Sequence, residues 1–275
     1  MILGIDLGGT NIRIGQIENG QIIHKISAPS PSAMKLEESL NYLKSVIAPL
    51  ITNEVKSIGI GVPSVLDIEK GIVYNVANIP SWEEVHLRDI LQGAFHLPVF
   101  LNNDSNCFAL GEKRFGKGIP FSNMLGVTLG TGVGTGVIIN NELYGGRNTG
   151  AGELGCIPYL EATYEHYCGS EFFPAYHQMT GKEAAKKAQA GDSQALKVWE
   201  EYGNHLGQFI QAALFAYDPE AIIFGGGIAE AYPFFEKSMR ESMASFPYPK
   251  SVENLQIRIS KNTDIAILGA AALAQ

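Results

Sequence analysis

A long internal repeat restricts the folds that this chain can adopt. Residues 2–23 read ILGIDLGGTNIRIGQIENGQII, and residues 124–146 read MLGVTLGTGVGTGVIINNELYGG. Both segments contain Leu-Gly-x-x-Leu-Gly, then a Gly/Thr turn, a second β-rich run and an Asn-containing hairpin. A second match follows in the same order, because VKSIGIGVP at 55–63 is similar to PEAIIFGGGIAE at 219–230. Two matches in one order favour duplication over coincidence, so we expect two related α/β halves.

Outside the repeated segments, the patterns alternate between helix and strand. Helices are predicted over residues 34–50, 105–116 and 193–219, and an apolar strand is predicted over residues 97–104. The run Ser81-Trp82-Glu83-Glu84 has the form of a capping box and predicts the start of a further helix.

The expected boundary between the halves lies near residues 116–118, where glycines follow a predicted helix. The first half then covers residues 1–116 and the larger second half covers residues 117–262. The last helix, residues 263–275, is expected to pack back on the first half. We expect a ligand cleft between the two halves, since such sites lie preferentially at domain interfaces.

The composition excludes several classes of partner. With 20 Lys and Arg against 28 Asp and Glu, the net charge of −8 argues against nucleic acid or an acidic membrane surface. The longest apolar candidate, residues 265–274, is shorter than the roughly 18 residues of a membrane span. The start has no signal-peptide pattern, and the number of cysteines, 3, is odd. These features predict reduced thiols and a cytoplasmic protein.

Two glycine-rich turns end equivalent strands of the repeat. They are Gly8, Gly9, Thr10 and Asn11 in the first half, and Gly130, Thr131 and Gly132 in the second. Such turns expose backbone N–H groups and leave room for phosphate oxygens. Neither is a Walker motif, and a Rossmann interpretation fails because the first turn leads into a strand. A single turn of this kind is usually only a hairpin connection between strands. Two such turns in equivalent positions favour a nucleotide-binding site.

Asp6 and a third glycine run extend this hypothesis. Asp6 precedes the first turn and can hold Mg²⁺, through water, near the β- and γ-phosphates. Gly225, Gly226 and Gly227 follow a predicted strand of the second half, where an adenosine can lie flat against the backbone.

Asp104 follows an apolar strand and precedes a helix, together with Asn102 and Asn103. Ligands collect at the carboxyl ends of strands in α/β folds. The alternative is a helix N-cap, which is the commonest role of aspartate at such a position. Beside two phosphate turns, however, an ionised Asp104 can take the proton of an attacking hydroxyl. Asn103 can hydrogen-bond that hydroxyl but cannot act as the base.

These motifs together resemble the ROK family (repressor, open reading frame, kinase) of the actin-like ATPase superfamily. The matching segments are Gly4-Ile-Asp-Leu-Gly-Gly-Thr-Asn11, Gly59-Ile-Gly-Val-Pro63, Asn103-Asp104, Gly130-Thr-Gly-Val-Gly134, Gly152-Glu-Leu-Gly155 and Gly225-Gly-Gly227. The resemblance implies two actin-like (ribonuclease H-like) domains, Asp104 as catalytic base and ATP phosphates on the glycine turns. It also implies that Asn103, Glu153 and a later glutamate bind sugar hydroxyls, with Ser64 and Asn78 bordering the same pocket.

The resemblance implies an ATP- and Mg²⁺-dependent sugar kinase, with O6 of glucose or a related aldohexose as the leading acceptor. An N-acetylhexosamine, allose or fructose is an alternative acceptor, because such sugars differ by single groups. Other ROK proteins are sugar-sensing regulators with a DNA-binding segment before the first phosphate strand, for which Met1 to Asp6 leaves no room. A non-catalytic sugar-binding protein and an actin-like ATPase are further alternatives. A homodimer is expected from the family alone.

Members of the family usually carry a structural zinc bound by a histidine and a three-cysteine loop. Here Cys156 stands at the histidine position and the shorter run 160–163 replaces the loop. Cys156, His166 and Cys168 supply three ligands at most, and tetrahedral zinc requires four. We therefore predict no zinc and two semi-buried cysteines.

Two glutamates of the same stretch are candidates for sugar recognition. Glu153 lies among glycines in a run that is poor in charge, and Glu165 is placed to reach the same cleft. Carboxylates accept hydrogen bonds from neighbouring hydroxyls. For Glu165 the alternative is a solvated carboxylate at a helix start, where the helix dipole favours it.

Overall fold

A computed structural model describes residues 1–76 and 78–275 as an α/β protein. Its strands are β1 (Ile2–Leu7), β2 (Asn11–Glu18), β3 (Gln21–Pro29), β4 (Ser57–Val62), β5 (Leu66–Asp67), β6 (Ile72–Tyr74), β7 (Glu84–Val85), β8 (Val99–Asn103), β9 (Met124–Leu129), β10 (Val133–Ile139), β11 (Glu142–Leu143), β12 (Pro158–Tyr159), β13 (Ala162–Thr163), β14 (Ala221–Gly225) and β15 (Gln256–Ile259). Its α-helices are α1 (Leu36–Ile47), α2 (Leu87–Phe95), α3 (Asp104–Phe115), α4 (Tyr164–Cys168), α5 (Phe172–His177), α6 (Gly181–Gln189), α7 (Ser193–Tyr217), α8 (Tyr232–Met243), α9 (Pro249–Asn254) and α10 (Ile265–Ala272).

Two five-stranded sheets repeat one strand order. The first has the order β3-β2-β1-β4-β8, and the second has the order β11-β10-β9-β14-β15. In the first sheet β1 is antiparallel to β2 and parallel to β4. In the second sheet β14 is parallel to β9 and to β15. The repeated order confirms the two related α/β halves that the sequence repeat predicts.

The chain divides into two compact units. The first combines Met1–Pro120, Gly136–Ala151 and Asn262–Gln275, and the second combines Phe121–Thr135 and Gly152–Lys261. The predicted linear boundary near residues 116–118 stays a prediction. No helix among the described residues has both the length and the apolarity to cross a membrane.

In the first unit, α10 packs against α3 and against β1, β2 and β4. A Cβ atom at Gly269 of α10 would lie 1.7 Å from the carbonyl oxygen of Cys107 on α3. The two helix backbones therefore approach closely enough that only glycine fits at this crossing. This crossing covers the helix that begins at Asp104 and holds it against the sheet.

In the second unit, the long helix α7 packs on α8 and carries an aromatic core. Trp199 and Tyr202 on α7 are fully buried, and the ring of Trp199 stacks on Phe235 with centroids 5.8 Å apart. The Tyr202 hydroxyl donates to the carbonyl oxygen of Cys168 at 2.7 Å. This hydrogen bond fixes the end of the short helix α4 to α7.

The helix predicted to start at Ser81 begins later. Glu84 and Val85 form strand β7, and α2 begins at Leu87 without a side-chain cap. The Ser81 hydroxyl donates instead to the carbonyl oxygen of Met34 at 2.9 Å, and Trp82 is fully buried. The capping-box prediction was wrong because tertiary contacts engage the hydroxyl that a cap would need.

Candidate active site

The first glycine turn connects β1 to β2 in the first unit. The backbone N–H of Gly8 donates to the carbonyl oxygen of Asn11 at 3.0 Å, and the carbonyl of Thr10 accepts from Ser30. A Cβ atom at Gly9 would lie 2.7 Å from Nδ2 of Asn78. The structure therefore brings the predicted phosphate turn and the predicted sugar contact Asn78 together.

Asp6, the candidate magnesium residue, is paired with Arg13 across strands β1 and β2. Nε of Arg13 lies 2.9 Å from Oδ2 of Asp6, and Nη2 donates to the same oxygen. Nη1 of Arg13 donates to the carbonyl oxygen of Thr263 at 2.5 Å. Both contacts to Asp6 fall on Oδ2, so Oδ1 can accept from a metal-bound water. One carboxylate joined by substrate phosphates is a usual Mg²⁺ arrangement, so the residues fit this metal.

Asn103 caps helix α3. Its Oδ1 accepts from the backbone N–H groups of Ser105 at 2.9 Å and Asn106 at 3.3 Å. The N-cap role that is the alternative for Asp104 therefore belongs to its neighbour. Asp104 is the first residue of the helix, and its Oδ1 accepts from the backbone N–H of Ser105 at 2.8 Å.

Close packing holds the backbone at Asp104. A Cβ atom at Gly61, near the end of β4, would lie 3.4 Å from Cα of Asp104 and 3.0 Å from Sγ of Cys107. Nδ2 of Asn103 donates to the carbonyl oxygen of Ser64 at 3.2 Å. The Ser64 hydroxyl itself donates to the backbone carbonyl of Tyr74. The predicted residues Asn103, Asp104 and Ser64 thus share one edge of the first sheet.

The second glycine turn connects β9 to β10 in the second unit. The N–H of Gly130 donates to the carbonyl oxygen of Gly132 at 3.0 Å. The carbonyl oxygen of Gly130 accepts from the N–H of Ser170 at 2.9 Å. Oε2 of Glu165 accepts from the N–H of Val133 at 3.1 Å. The turn is therefore held from outside by a side chain and by backbone.

The third glycine run lies against the strand that leads into the second turn. Gly226 has a φ of +86°, and a Cβ atom there would lie 2.3 Å from the carbonyl oxygen of Leu129, the last residue of β9. At Gly227, by contrast, a Cβ atom would meet no described atom within 4 Å. Two of the predicted nucleotide segments, 130–132 and 225–227, are neighbours in this way.

Glu153 shares its surroundings with Glu165 and Cys156. Loss of hydration raises the pKa of the Glu153 carboxyl above its ordinary 4.5, and the nearby charge of Glu165 raises this pKa further. Sγ of Cys156 lies 3.9 Å from Oε2 of Glu153. Glu153 therefore lies within the electrostatic influence of Glu165, and carboxylates accept hydrogen bonds from hydroxyl donors.

The candidate zinc ligands have separate surroundings. Cys168 is fully buried and burial raises the pKa of its thiol, whereas Cys156 is exposed. The prediction that both cysteines are semi-buried was wrong. Cys168 is buried because it ends the helix that packs on α7. Nε2 of His166 lies 3.0 Å from the hydroxyl oxygen of Tyr176. The described part of the chain holds no group of three or more His, Cys, Asp or Glu arranged for a metal.

Two further residues bear on the site although the sequence motifs assign them no role: Arg13, and Gly61 within the matched segment 59–63. Arg13 has a detectable signal, because it stands opposite Asp6 in a predicted hairpin and opposite charges favour cross-strand pairing. Gly61 lies in the segment 55–63 of the repeat, but its contact with Asp104 depends on the crossing of α3 over the sheet.

Two β-sheets share one strand order, and a glycine turn follows the first strand of each half, β1 and β9. This arrangement is that of the actin-like fold. The chain belongs to the ROK family, whose model matches residues 2–172 and 174–275.

The proteins with similar sequences include both glucokinases and repressors. A glucokinase of Thermotoga maritima is 29% identical, over 99% of this chain and 96% of its own length. A xylose repressor of Bacillus spizizenii is 29% identical, over 94% of this chain and 73% of its own length. The crystal structure of a ROK family glucokinase from Streptomyces griseus, in complex with glucose and AMPPNP, is 25% identical with a TM-score of 0.82. That match covers 99% of this chain and 98% of the other.

Proposed function

We propose that this chain is a sugar kinase that transfers the γ-phosphate of ATP to O6 of glucose or a related aldohexose. Membership of the ROK family and the similarity to glucokinases over almost the whole chain support the kinase class. An N-acetylhexosamine, allose or fructose is the alternative acceptor.

The observation that carries the proposal is the division of roles at the start of α3. Asn103 supplies the helix cap, and Asp104 stands next to it at the carboxyl end of β8. In the proposed reaction the Asp104 carboxylate takes the proton of the acceptor hydroxyl. The oxygen of that hydroxyl forms a bond to the γ-phosphorus while the bond from the γ-phosphorus to the β,γ-bridging oxygen breaks, which releases ADP.

The glycine turns are the proposed phosphate sites. Gly8, Gly9, Thr10 and Asn11 offer backbone N–H groups on one unit, and Gly130, Thr131 and Gly132 offer them on the other. Gly225, Gly226 and Gly227 are the proposed adenosine contact. Asp6 would hold Mg²⁺ through water, and that metal would neutralise charge on the phosphates.

Sugar hydroxyls are the proposed partners of the acidic and amide side chains. Glu153 and Glu165 are the candidate carboxylates, and Asn103 lies beside the base. Asn78 and Ser64 are the outlying candidates, the first beside Gly9 and the second beside Asn103.

A coupled ADP-release assay over a panel of sugars tests this function. The panel contains glucose, mannose, allose, fructose, N-acetylglucosamine and N-acetylmannosamine, with Mg²⁺ and ATP present. We expect sugar-dependent ADP release that is fastest with an aldohexose. Release at the same rate without sugar would favour an actin-like ATPase instead.

The similarity to a xylose repressor favours one second candidate, a protein that binds sugar without phosphorylating it. Calorimetric titration with xylose and glucose separates the two. Sugar binding without any ADP release would support this second candidate.

A further inference from the structure

Glu165 contacts the second glycine turn directly. Its Oε2 lies 3.1 Å from the backbone nitrogen of Val133, the first residue of β10. A Cβ atom at Gly132 would lie 2.1 Å from that same oxygen. The carboxylate therefore covers the turn at the point where any side chain on Gly132 would displace it.

The element that carries Glu165 is fixed to the turn by backbone as well. The N–H of Ser170, just after α4, donates to the carbonyl oxygen of Gly130 at 2.9 Å. A Cβ atom at Gly169 would lie 2.7 Å from the carbonyl oxygen of Thr131. On its other side, α4 is held to α7 by the hydrogen bond from Tyr202 to Cys168. The helix thus joins the packed core of the second unit to the turn.

Val133 itself is buried, with 2% of its surface exposed. A buried backbone N–H that loses its hydrogen-bond acceptor destabilises the folded state, because water reaches it poorly and cannot replace the acceptor. The Glu165 carboxylate supplies that acceptor from a residue 32 positions away.

We propose that Glu165 is a positioning residue that keeps the second glycine turn in the shape that binds nucleotide phosphates. The inference rests on the proposed function, since it assigns to a candidate sugar-binding carboxylate a second task in nucleotide binding. One oxygen of the carboxylate holds the turn, and the other can accept from the sugar. Preorganised N–H groups bind phosphate better than groups that must first be ordered.

Three variants separate positioning from a merely structural role. Glu165→Ala removes the acceptor, whereas Glu165→Gln keeps an amide oxygen that can accept from Val133 N–H. Glu171→Ala is the control, because Glu171 is an exposed glutamate close by whose carboxylate lies 3.7 Å from Nδ1 of His166. Far-ultraviolet circular dichroism and thermal melting establish that each variant is folded.

The first measurement is amide hydrogen exchange of Val133 without nucleotide. We expect exchange about tenfold faster in Glu165→Ala, and near wild-type exchange in Glu165→Gln and Glu171→Ala, because one lost hydrogen bond is worth about that factor. The second measurement is the dissociation constant of the Mg²⁺ complex of AMPPNP without sugar. We expect about tenfold weaker binding in Glu165→Ala and recovery in Glu165→Gln.

Unchanged exchange and unchanged AMPPNP affinity in Glu165→Ala would overturn the inference. So would equal losses in the Ala and Gln variants, since they would show that the charge matters and not the hydrogen bond. Failure of the proposed function looks different: wild-type protein then shows no sugar-dependent ADP release, while the exchange difference between Ala and Gln persists.

Discussion

The guanidinium of Arg13 forms a hydrogen-bonded ion pair with the carboxylate of Asp6, with Nε 2.9 Å from Oδ2. Asp6 is buried, whereas about a third of the Arg13 side chain, 35%, is exposed. Removing Arg13 would therefore leave a buried charge on Asp6, whereas removing Asp6 would leave a charge on Arg13 that water can partly solvate.

Replacing Arg13 with Gln leaves a buried carboxylate without its cation. We expect a loss of about 1–3 kcal/mol in the free energy of unfolding, measured by urea denaturation at neutral pH. Asp6→Asn should cost less, because water can solvate the exposed part of Arg13, and the double variant should recover part of the loss. Lys25→Gln is the control, since the more exposed pair of Lys25 with Asp264 should contribute less than about 1 kcal/mol. Additive losses in the double variant would contradict a direct interaction.

Asp104→Asn should reduce turnover by a factor of about 10²–10⁴, because an amide cannot take the proton of the acceptor hydroxyl. The affinity for sugar, measured by titration calorimetry, should change little. Asp89→Asn is a matched control, since Asp89 also lies in the first turn of a helix but on the exposed surface. Turnover of Asp104→Asn close to that of the Asp89 control would exclude the base role.

The pH dependence of sugar affinity should follow the raised pKa of Glu153. Loss of hydration and the charge of Glu165 both favour the protonated carboxyl, so its midpoint lies above the ordinary 4.5. The ionised form is the better acceptor for hydroxyls, so sugar should bind more tightly as pH rises through this midpoint. The pH dependence of folding stability has the opposite sign. The contribution of Glu153 to the free energy of unfolding is present below pH 4.5 and is lost as pH rises through the raised pKa.

Glu165→Gln removes the neighbouring charge, and the midpoint for Glu153 should then move toward lower pH. Sugar dissociation constants between weakly acidic and neutral pH measure this shift. A midpoint that stays in place would mean that lost hydration alone raises the pKa of Glu153.

The third glycine run offers a matched pair of substitutions. Gly226→Ala places a Cβ atom 2.3 Å from the carbonyl of Leu129 at a φ of +86°, so we expect a loss of about 1–3 kcal/mol in stability. Gly227→Ala meets no described atom within 4 Å and should leave the unfolding free energy nearly unchanged. If adenosine lies against this backbone, Gly227→Ala should still weaken the binding of AMPPNP. Unchanged binding would place the nucleotide elsewhere.

The local patterns of the sequence predicted much of the architecture. The two similar segments became the equivalent strands β1–β2 and β9–β10, because strand alternation and glycine turns depend on near neighbours. The prediction of a helix from Ser81 was wrong for the opposite reason. The Ser81 hydroxyl donates to the carbonyl oxygen of Met34, which is distant along the chain. The Asp6–Arg13 pair was not predicted, although the hairpin that places the two residues opposite each other is itself local.

The sequence by itself determined the repeated α/β order, the positions of the glycine turns and the candidate residues Asp6 and Asp104. Only the tertiary structure decided that Glu165 holds the turn at Val133, and that Gly61 packs against Asp104. The reason is physical: a turn or a strand is encoded in adjacent residues, whereas a hydrogen bond across 32 positions exists only after helices pack and bring its partners into contact.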